Sequence, residues 1–112
     1  MEISRQTVDA DITLVHLNGR LDANTSPEVK STLQELLEKG QLKIVVDLEK
    51  VSFIDSSGLA ALVSGLRLAR EKKGNIILSG PGSQAQIVFR LTMLDRIFKI
   101  HPTLDEAKQS LT

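Results

Sequence analysis

The sequence lacks cysteine, tryptophan and tyrosine, and it has only 3 phenylalanines among 112 residues. The absence of cysteine excludes disulfides, thiolate catalysis and cysteine-based metal sites. The shortage of aromatic side chains leaves few of the platforms on which single-stranded nucleic acids stack. With 41% hydrophobic and 25% charged residues, the composition is that of an ordinary globular domain. We therefore expect a core built from Leu, Ile and Val.

An excess of charge of one sign is also missing. Lys and Arg together number 14, as do Asp and Glu, so the formal net charge is zero. Nucleic-acid binding normally needs a basic surplus that neutralises phosphates, so no nucleic-acid partner is expected. His16 and His101 stand alone in the sequence. Without cysteine beside them, we expect no metal site, and no other cofactor motif is present.

Long hydrophobic runs are absent as well. No apolar stretch approaches the roughly 18 residues that span a bilayer. The first residues, Met1–Arg5, lack the charged-then-apolar layout of a signal peptide. These absences predict a cytoplasmic protein without a membrane span. A length of 112 residues fits one domain over residues 1–112.

Apolar periodicity predicts the element order β-β-α-β-α-β-α-β-α. The predicted strands cover residues 3–8, 12–17, 43–48, 75–79 and 97–100. Helices are expected to begin near Thr25, Ser56, Ser83 and Pro102. The short first connection favours an antiparallel pair, and the later alternation implies parallel strands. The predicted fold class is α/β, a mixed, largely parallel sheet of about five strands packed against four helices.

Finer expectations concern helix ends, connectors and buried faces. Hydroxyl caps are predicted at Thr25, with Glu28 three residues later, and at Ser83, with Gln86. Residues 49–54 are interpreted as a connector with Val51 and Phe53 turned inward, and His101 as a surface residue. The inner face of the third helix is predicted to contain Ile87, Val88, Leu91 and Leu94.

Functional loops gather at the carboxyl ends of parallel strands. Three predicted loops leave those ends, at residues 19–24, 51–57 and 80–83. If the strands run parallel, the side chains of Asp22, Asp55, Ser56 and Ser57 become neighbours in space. The last loop, Gly80-Pro81-Gly82-Ser83, is interpreted as a plain turn, because it lacks the lysine and length of a phosphate-binding loop.

The segment Asp55-Ser56-Ser57-Gly58 stands where a loop enters an apolar helix. In the simplest interpretation, Asp and Ser are there because their oxygens cap helix N-termini. A functional interpretation adds that a phosphate at a helix N-terminus meets free N–H groups and the positive end of the dipole. It adds roughly −1.5 to −2 charge beside two carboxylates. Spacing alone does not choose between Ser56 and Ser57 as the acceptor.

Two motifs resemble one family. The run VVDL at Val45–Leu48, followed by VSFIDSSGL at Val51–Leu59, is similar to the signature of STAS-domain anti-anti-sigma factors. Gly19-Arg20-Leu21-Asp22 resembles that family's Gly-x-Leu-Asp segment. The resemblance covers essentially the whole chain and implies a STAS-like fold. Together the two motifs are fairly specific, whereas either alone is weak.

The resemblance implies a regulatory protein, not an enzyme. The first Ser after the Asp is the phosphorylated one, here Ser56. The partner is an anti-sigma factor that is also a serine kinase with a histidine-kinase-like ATPase fold. The unphosphorylated protein binds that partner and releases sigma factor; phosphorylation blocks binding, and a PP2C-type phosphatase reverses it. A monomer or weak dimer is expected. The implied partner-binding residues are Asp22, Asn24, Asp55, Ser56, Ser57 and Gly58.

Two other functions stay open. One is a STAS scaffold or interaction module in a stress-sensing or transporter-associated assembly. The other is a small hydrolase using Ser56 with Asp22 and Asp55, which lacks a base because no His falls on the three loops. His16, within an apolar strand, is interpreted as structural. The cations Arg67, Arg70, Lys72 and Lys73 are interpreted as a solvated helix end, with an acidic partner surface as the alternative.

Overall fold

The computed structural model describes residues 1–9 and 11–111. Its strands and helices follow the predicted order, with one short 3₁₀ turn at Leu94–Arg96. In chain order they are β1 (Glu2–Thr7), β2 (Ile12–Leu21), α1 (Ser26–Glu38), β3 (Lys43–Ile54), α2 (Ser56–Glu71), β4 (Asn75–Ser79), α3 (Ser83–Leu91), β5 (Ile100–His101) and α4 (Leu104–Gln109).

The five strands form one mixed sheet in the order β1-β2-β3-β4-β5. The first pair is antiparallel, with Ser4 opposite His16. The pairs β2–β3, β3–β4 and β4–β5 are all parallel. The predicted fold class is confirmed, because each helical connection returns the chain to a neighbouring parallel strand, as a parallel sheet requires.

Both faces of the sheet are covered by apolar side chains. One face packs against α1 and α2 through residues such as Val46, Leu33 and Leu62, all fully buried. The other face has a smaller cluster under α4, in which Val45 and Ile77 pack with Ala107. The core is mainly aliphatic, as expected from the composition. Its two aromatic rings, Phe89 and Phe98, meet edge to face with centroids 6.4 Å apart.

β2 and β3 are longer than the sequence predicted. The expected connector at residues 49–54 is instead the second half of β3, and β2 continues to Leu21. The two strands support each other along this extension, and Leu21 pairs with Ile54. Val51 is buried as expected. Phe53 is only half-buried, and the Arg20 guanidinium lies over its ring.

The predicted hydroxyl caps of α1 and α3 were wrong in their chemistry. Thr25 occupies the N-cap of α1, but its side chain makes no capping hydrogen bond. Gly82, not Ser83, occupies the N-cap of α3, and the Gln86 amide donates to the Pro81 carbonyl instead. In both loops a side chain expected to take part in the cap, that of Thr25 or Gln86, bonds instead to a backbone carbonyl that precedes the helix.

The predicted inner face of α3 was right for Val88 and Leu94, which are half-buried against the core, and wrong for Ile87 and Leu91. Ala85 and Phe89 are the buried residues of this helix, whereas Ile87 and Leu91 are 48% and 78% exposed. Phe89 is 1% exposed and its ring packs edge to face against Phe98, so the helix turns this large side chain, and not Ile87 or Leu91, towards the core. The last strand is also shorter than predicted, since residues 94–96 form the 3₁₀ turn and only Ile100–His101 pair with β4.

Candidate functional site

The carboxyl ends of β2 and β3 lie side by side. Leu21 and Ile54 are partners in the last rung of this parallel ladder. One residue further, the backbone N–H of Asp55 donates to the carbonyl of Leu21 at 3.2 Å. The loop after β2, which begins with Asp22, therefore adjoins the loop that carries Asp55 and Ser56. Of the three loops predicted to share one edge of the sheet, those at residues 19–24 and 51–57 meet here.

Gly58 allows the first turn of α2 to lie against the end of β2. A Cβ atom at this position would be 2.5 Å from the carbonyl oxygen of Leu21 and 2.6 Å from its Cγ. Real Cβ atoms do not approach that closely, so no other residue fits without movement of the backbone. Gly58 is buried, and its role among the predicted site residues is to bring the helix N-terminus to this edge.

The loop after β2 is a tight turn around Asp22. The Asp22 carboxylate accepts a hydrogen bond from the Asn24 backbone N–H at 3.0 Å. The backbone carbonyl of Asp22 accepts another from the Ser26 backbone N–H at 2.8 Å. The Thr25 hydroxyl donates to the Arg20 carbonyl at 2.6 Å and accepts from the Asp22 backbone N–H at 3.0 Å. Thr25 thus closes the turn instead of capping α1. Asn24 is exposed at the tip.

The Asp22 carboxyl remains ionised because its hydrogen bonds outweigh desolvation. Desolvation raises its pKa, while hydrogen bonds from Asn24 and Thr25 lower it, and the net result is below the ordinary value. Arg20 contributes too, with its Nε 3.5 Å from the carboxylate. The same guanidinium lies 4.3 Å from the centre of the Phe53 ring, a cation–π contact. Sequence reasoning named Arg20 only as part of a motif; its link to Phe53 depends on the unpredicted length of β3.

Asp55 is the N-cap of α2. Its extended backbone leads into the helix, and its carboxylate accepts a hydrogen bond from the Gly58 backbone N–H at 3.0 Å. The simple interpretation of Asp55 as a cap is therefore confirmed. A carboxylate at this place also interacts favourably with the positive end of the helix dipole.

Ser56 is exposed and is the first residue of α2, while Ser57 is half-buried behind it. The first backbone N–H groups of a helix have no partner within the helix. A group attached to the Ser56 oxygen can therefore lie near unpaired donors without entering the core. The geometry combines an accessible hydroxyl, a helix N-terminus and two carboxylates, at Asp22 and Asp55.

Gln84 connects α3 to this site, and sequence reasoning missed it. Its side-chain amide donates to the Ile54 carbonyl at 2.9 Å and accepts from the Ile54 backbone N–H at 3.0 Å. β4 pairs with β3 only as far as Asp47, so the end of β3 has no strand on that side. Gln84 replaces the missing strand at one residue. No motif surrounds it, so the sequence offered no signal.

The third predicted loop, at residues 80–83, begins beside the middle of β3 and not at its carboxyl end. Gly80 adjoins Glu49, whose Cβ is 3.4 Å from where a Gly80 Cβ would lie, because β4 ends near the middle of β3. The turn at Gly80 therefore lies beside the middle of β3, and it is Gln84 that extends to the end of β3.

The two histidines lie away from Ser56. His16 is partnered within the sheet, with its Nδ1 2.8 Å from the Asp47 carboxylate. This agrees with its interpretation as a structural residue. His101 was expected on the surface but is half-buried, and its Nε2 is buried without a hydrogen-bond partner among the described residues. Its strand pairs with β4 at Ser79, which draws the ring inward.

Comparison with known proteins identifies the family. The sequence model of the STAS domain matches residues 4–107. The chain belongs to the STAS domain family. Curated relatives support this assignment at about 30% identity. An anti-sigma-B factor antagonist of Listeria monocytogenes is 30% identical over 92 residues, 82% of this chain and 81% of that protein. An anti-sigma F factor antagonist of Paenibacillus polymyxa is 31% identical over 102 residues, 90% and 85% of the two chains.

Solved structures share the STAS fold. A candidate anti-sigma factor antagonist from Thermotoga maritima superposes with a TM-score of 0.91 at 32% identity, covering 96% of this STAS chain and 92% of the other. The anti-sigma factor antagonist SpoIIAA in its unphosphorylated form gives 0.86 at 22% identity, covering 98% and 96%. The second likeness shows the fold alone. Within residues 1–9 and 11–111, this STAS chain has no helix long and apolar enough to cross a bilayer.

Proposed function

We propose that this STAS protein is an anti-anti-sigma factor controlled by phosphorylation of Ser56. In its unphosphorylated form it binds an anti-sigma factor that is also a serine kinase of the histidine-kinase-like ATPase fold, and sigma factor is released. Phosphorylation blocks this binding, and a PP2C-type phosphatase restores it. The chain, residues 1–112, acts as one domain and as a binding protein without catalytic residues of its own.

The observation that carries the proposal is the exposed hydroxyl of Ser56 at the first position of α2. A kinase must reach the oxygen from outside, and Ser56 is an exposed residue. Relatives at about 30% identity are named as antagonists of anti-sigma factors, which supports the partner class. SpoIIAA, with the same fold, has been solved in unphosphorylated and phosphorylated forms.

The local charges explain how a phosphate switches binding off. Asp22 and Asp55 already give this edge two negative charges, and a phosphate adds roughly −1.5 to −2 more. The unpaired N–H groups of the first helical turn can donate hydrogen bonds to the phosphate without refolding. Only the surface field then changes, so a partner surface that tolerates the acids is repelled by the phosphorylated form. The binding surface includes Asp22, Asn24, Asp55, Ser56, Ser57 and Gly58.

The test uses the cognate anti-sigma kinase, ATP and mass spectrometry. Phosphate is expected on Ser56 of the wild type and of Ser57→Ala, and none on Ser56→Ala. Ser56→Ala is expected to bind the kinase as tightly as the unphosphorylated wild type and to stay bound when ATP is added. Ser57→Ala is the matched control, because it removes a neighbouring hydroxyl from the same turn.

Phosphate on Ser57 or elsewhere would show that the acceptor is wrong. Kinase binding that persists after full phosphorylation would overturn the switch. A stable high-mass assembly in sizing chromatography, without any kinase response, would instead favour a scaffold role.

A further inference from the structure

A groove lies at the end of the molecule where α2 finishes. It has a volume of about 540 Å³ and is bounded by Arg70 near the end of α2, by Asn75 at the start of β4, and by residues 95–101. Arg70 follows Ser56 by 14 residues of α2, so it lies roughly 21 Å from Ser56 along the helix at 1.5 Å per residue. It is separate from the site described above.

The groove exists because β5 is short. β4 pairs with β5 only at Leu78 and Ser79, so its first residues, from Asn75, have no strand on that side. The Ile76 backbone N–H is satisfied by the Asn75 side chain at 2.9 Å instead of by a strand. The chain between α3 and β5 turns away from the sheet edge and leaves the space open.

The walls of the groove carry mostly positive charge. Arg70, Arg96 and Lys99 line it and are all exposed, against a single lining carboxylate from Asp95 among the described residues. The whole chain has a formal net charge of zero, so this excess is local. Lys72 and Lys73 follow α2 directly, and Glu71, the last residue of the helix, offsets one of these two charges. Closely spaced like charges repel, and a bound anion relieves that repulsion.

Part of the wall is held in place. The Arg70 guanidinium donates to the Ile97 carbonyl at 2.9 Å, which ties α2 to the segment before β5. Phe98 beneath this segment is 3% exposed and packs against Phe89. A guanidinium has five N–H donors, so Arg70 keeps others for a ligand after this bond. The groove therefore has one cation held by a hydrogen bond, Arg70, beside the exposed Arg96 and Lys99.

We propose that this groove binds a small anion bearing phosphate or several carboxylates. Guanidinium groups match both groups bidentately, and Lys adds a point charge. A concave site of this volume lies within the range of small-molecule pockets, which favours a compact ligand over an extended macromolecular surface. The proposal goes beyond the phosphorylation switch, since its residues and position are different.

The test is a titration of the ¹⁵N-labelled protein with sodium phosphate and, separately, with sodium citrate, at ionic strength held constant with sodium chloride. Comparing the two anions distinguishes phosphate from carboxylate recognition. Saturable amide shifts are expected at residues 95–101 and near Arg70. The double variant Arg96→Gln/Lys99→Gln is expected to weaken binding at least tenfold.

The double variant Lys30→Gln/Lys50→Gln is the matched control, because it removes two exposed cations outside the groove. It is expected to change binding by less than twofold. Shifts that rise linearly without saturation with both anions, equal weakening by the control pair, or shifts centred on Ser56 would each overturn the proposal. None of these outcomes bears on phosphorylation by the kinase, which is measured separately.

Discussion

Gly58 and Leu21 come so close that the first turn of α2 rests on the backbone at the end of β2. The Leu21 carbonyl oxygen would be 2.5 Å from any Cβ at position 58, and the same oxygen accepts the Asp55 N–H at 3.2 Å. One carbonyl therefore fixes both the loop that carries Ser56 and the helix that begins with it. The exposure of the Ser56 hydroxyl is a consequence of how tightly its neighbours pack.

Gly58→Ala is expected to destabilise the protein by about 2–3 kcal/mol, at the upper end of overpacking costs. The atom nearest to the added Cβ is the Leu21 carbonyl oxygen, which belongs to the backbone and cannot rotate out of the way, so the start of α2 must move. The measurement is urea unfolding followed by circular dichroism. Gly82→Ala is the control, since a Cβ there meets nothing within 4 Å. Equal stability of Gly58→Ala and Gly82→Ala would show that the α2 start adapts easily.

Asp55 has two separable functions, a cap and a charge. Asp55→Ala is expected to lose about 1 kcal/mol of stability, because the Gly58 N–H loses its acceptor. Asp55→Asn keeps a capping oxygen and is expected to stay within about 0.5 kcal/mol of the wild type, since Asn and Asp cap similarly well. Thermal unfolding of the three proteins distinguishes them. If Asn is as damaging as Ala, the charge and not the hydrogen bond stabilises the helix start.

The α/β order and the Asp55–Gly58 segment could be predicted from the sequence because they depend on local rules. Apolar periodicity gave the strands and helices, and the cap chemistry of Asp55 follows from its place before an apolar helix. The adjacency of Asp22 and Asp55 followed from parallel strand order. These features need no knowledge of side-chain packing.

The parts that could not be predicted depend on contacts distant in the sequence. β3 continues to Ile54 because β2 accompanies it, although Glu49 and Lys50 are typical of a loop. Thr25 bonds to the Arg20 carbonyl because the turn brings that group closer than the helix N–H groups. Gln84 is 30 residues from Ile54, and nothing near it in the sequence indicates that pairing.

Gln84→Glu tests whether the end of β3 depends on a side chain that both donates and accepts. An ionised Glu can accept from the Ile54 N–H but cannot donate to the Ile54 carbonyl, so two oxygens then face each other. We expect a loss of about 1–3 kcal/mol at pH 7, the cost of an unsatisfied buried acceptor. Below about pH 4 a protonated Glu regains its donor, and the deficit relative to wild type should shrink.

Gln84→Ala is the companion variant, because it removes both hydrogen bonds and has no charge to titrate. Its deficit is expected to stay constant between pH 7 and pH 4. Hydrogen exchange at the Ile54 amide adds a local measure, and faster exchange is expected in both variants. A Gln84→Glu deficit that does not respond to pH would mean that the amide pairing is not what stabilises this edge.

The ion pairs of Glu35 predict how stability falls in acid. Hydrogen bonds from Arg5 and Lys39, at 3.0 and 2.9 Å, lower the pKa of Glu35 from 4.5 to about 2. Because the folded pKa lies below the unfolded one, the contribution of this carboxylate is complete above pH 4.5 and is lost as the pH falls towards 2. Both partners are exposed, so salt is expected to reduce the effect.

The measurement compares Glu35→Gln with the wild type by urea unfolding at pH 7, 4 and 2, in low and high salt. The wild type is expected to be the more stable at pH 7, by an amount that decreases at pH 4 and is small at pH 2. Glu38→Gln, which removes an exposed carboxylate from the same helix, controls for the general loss of negative charge. Only titration of a paired carboxylate produces a stability gap that closes in acid. A gap that is the same at all three pH values, or one that Glu38→Gln reproduces, would therefore contradict the prediction. It would show that the link from β1 to α1 through Arg5 contributes nothing specific.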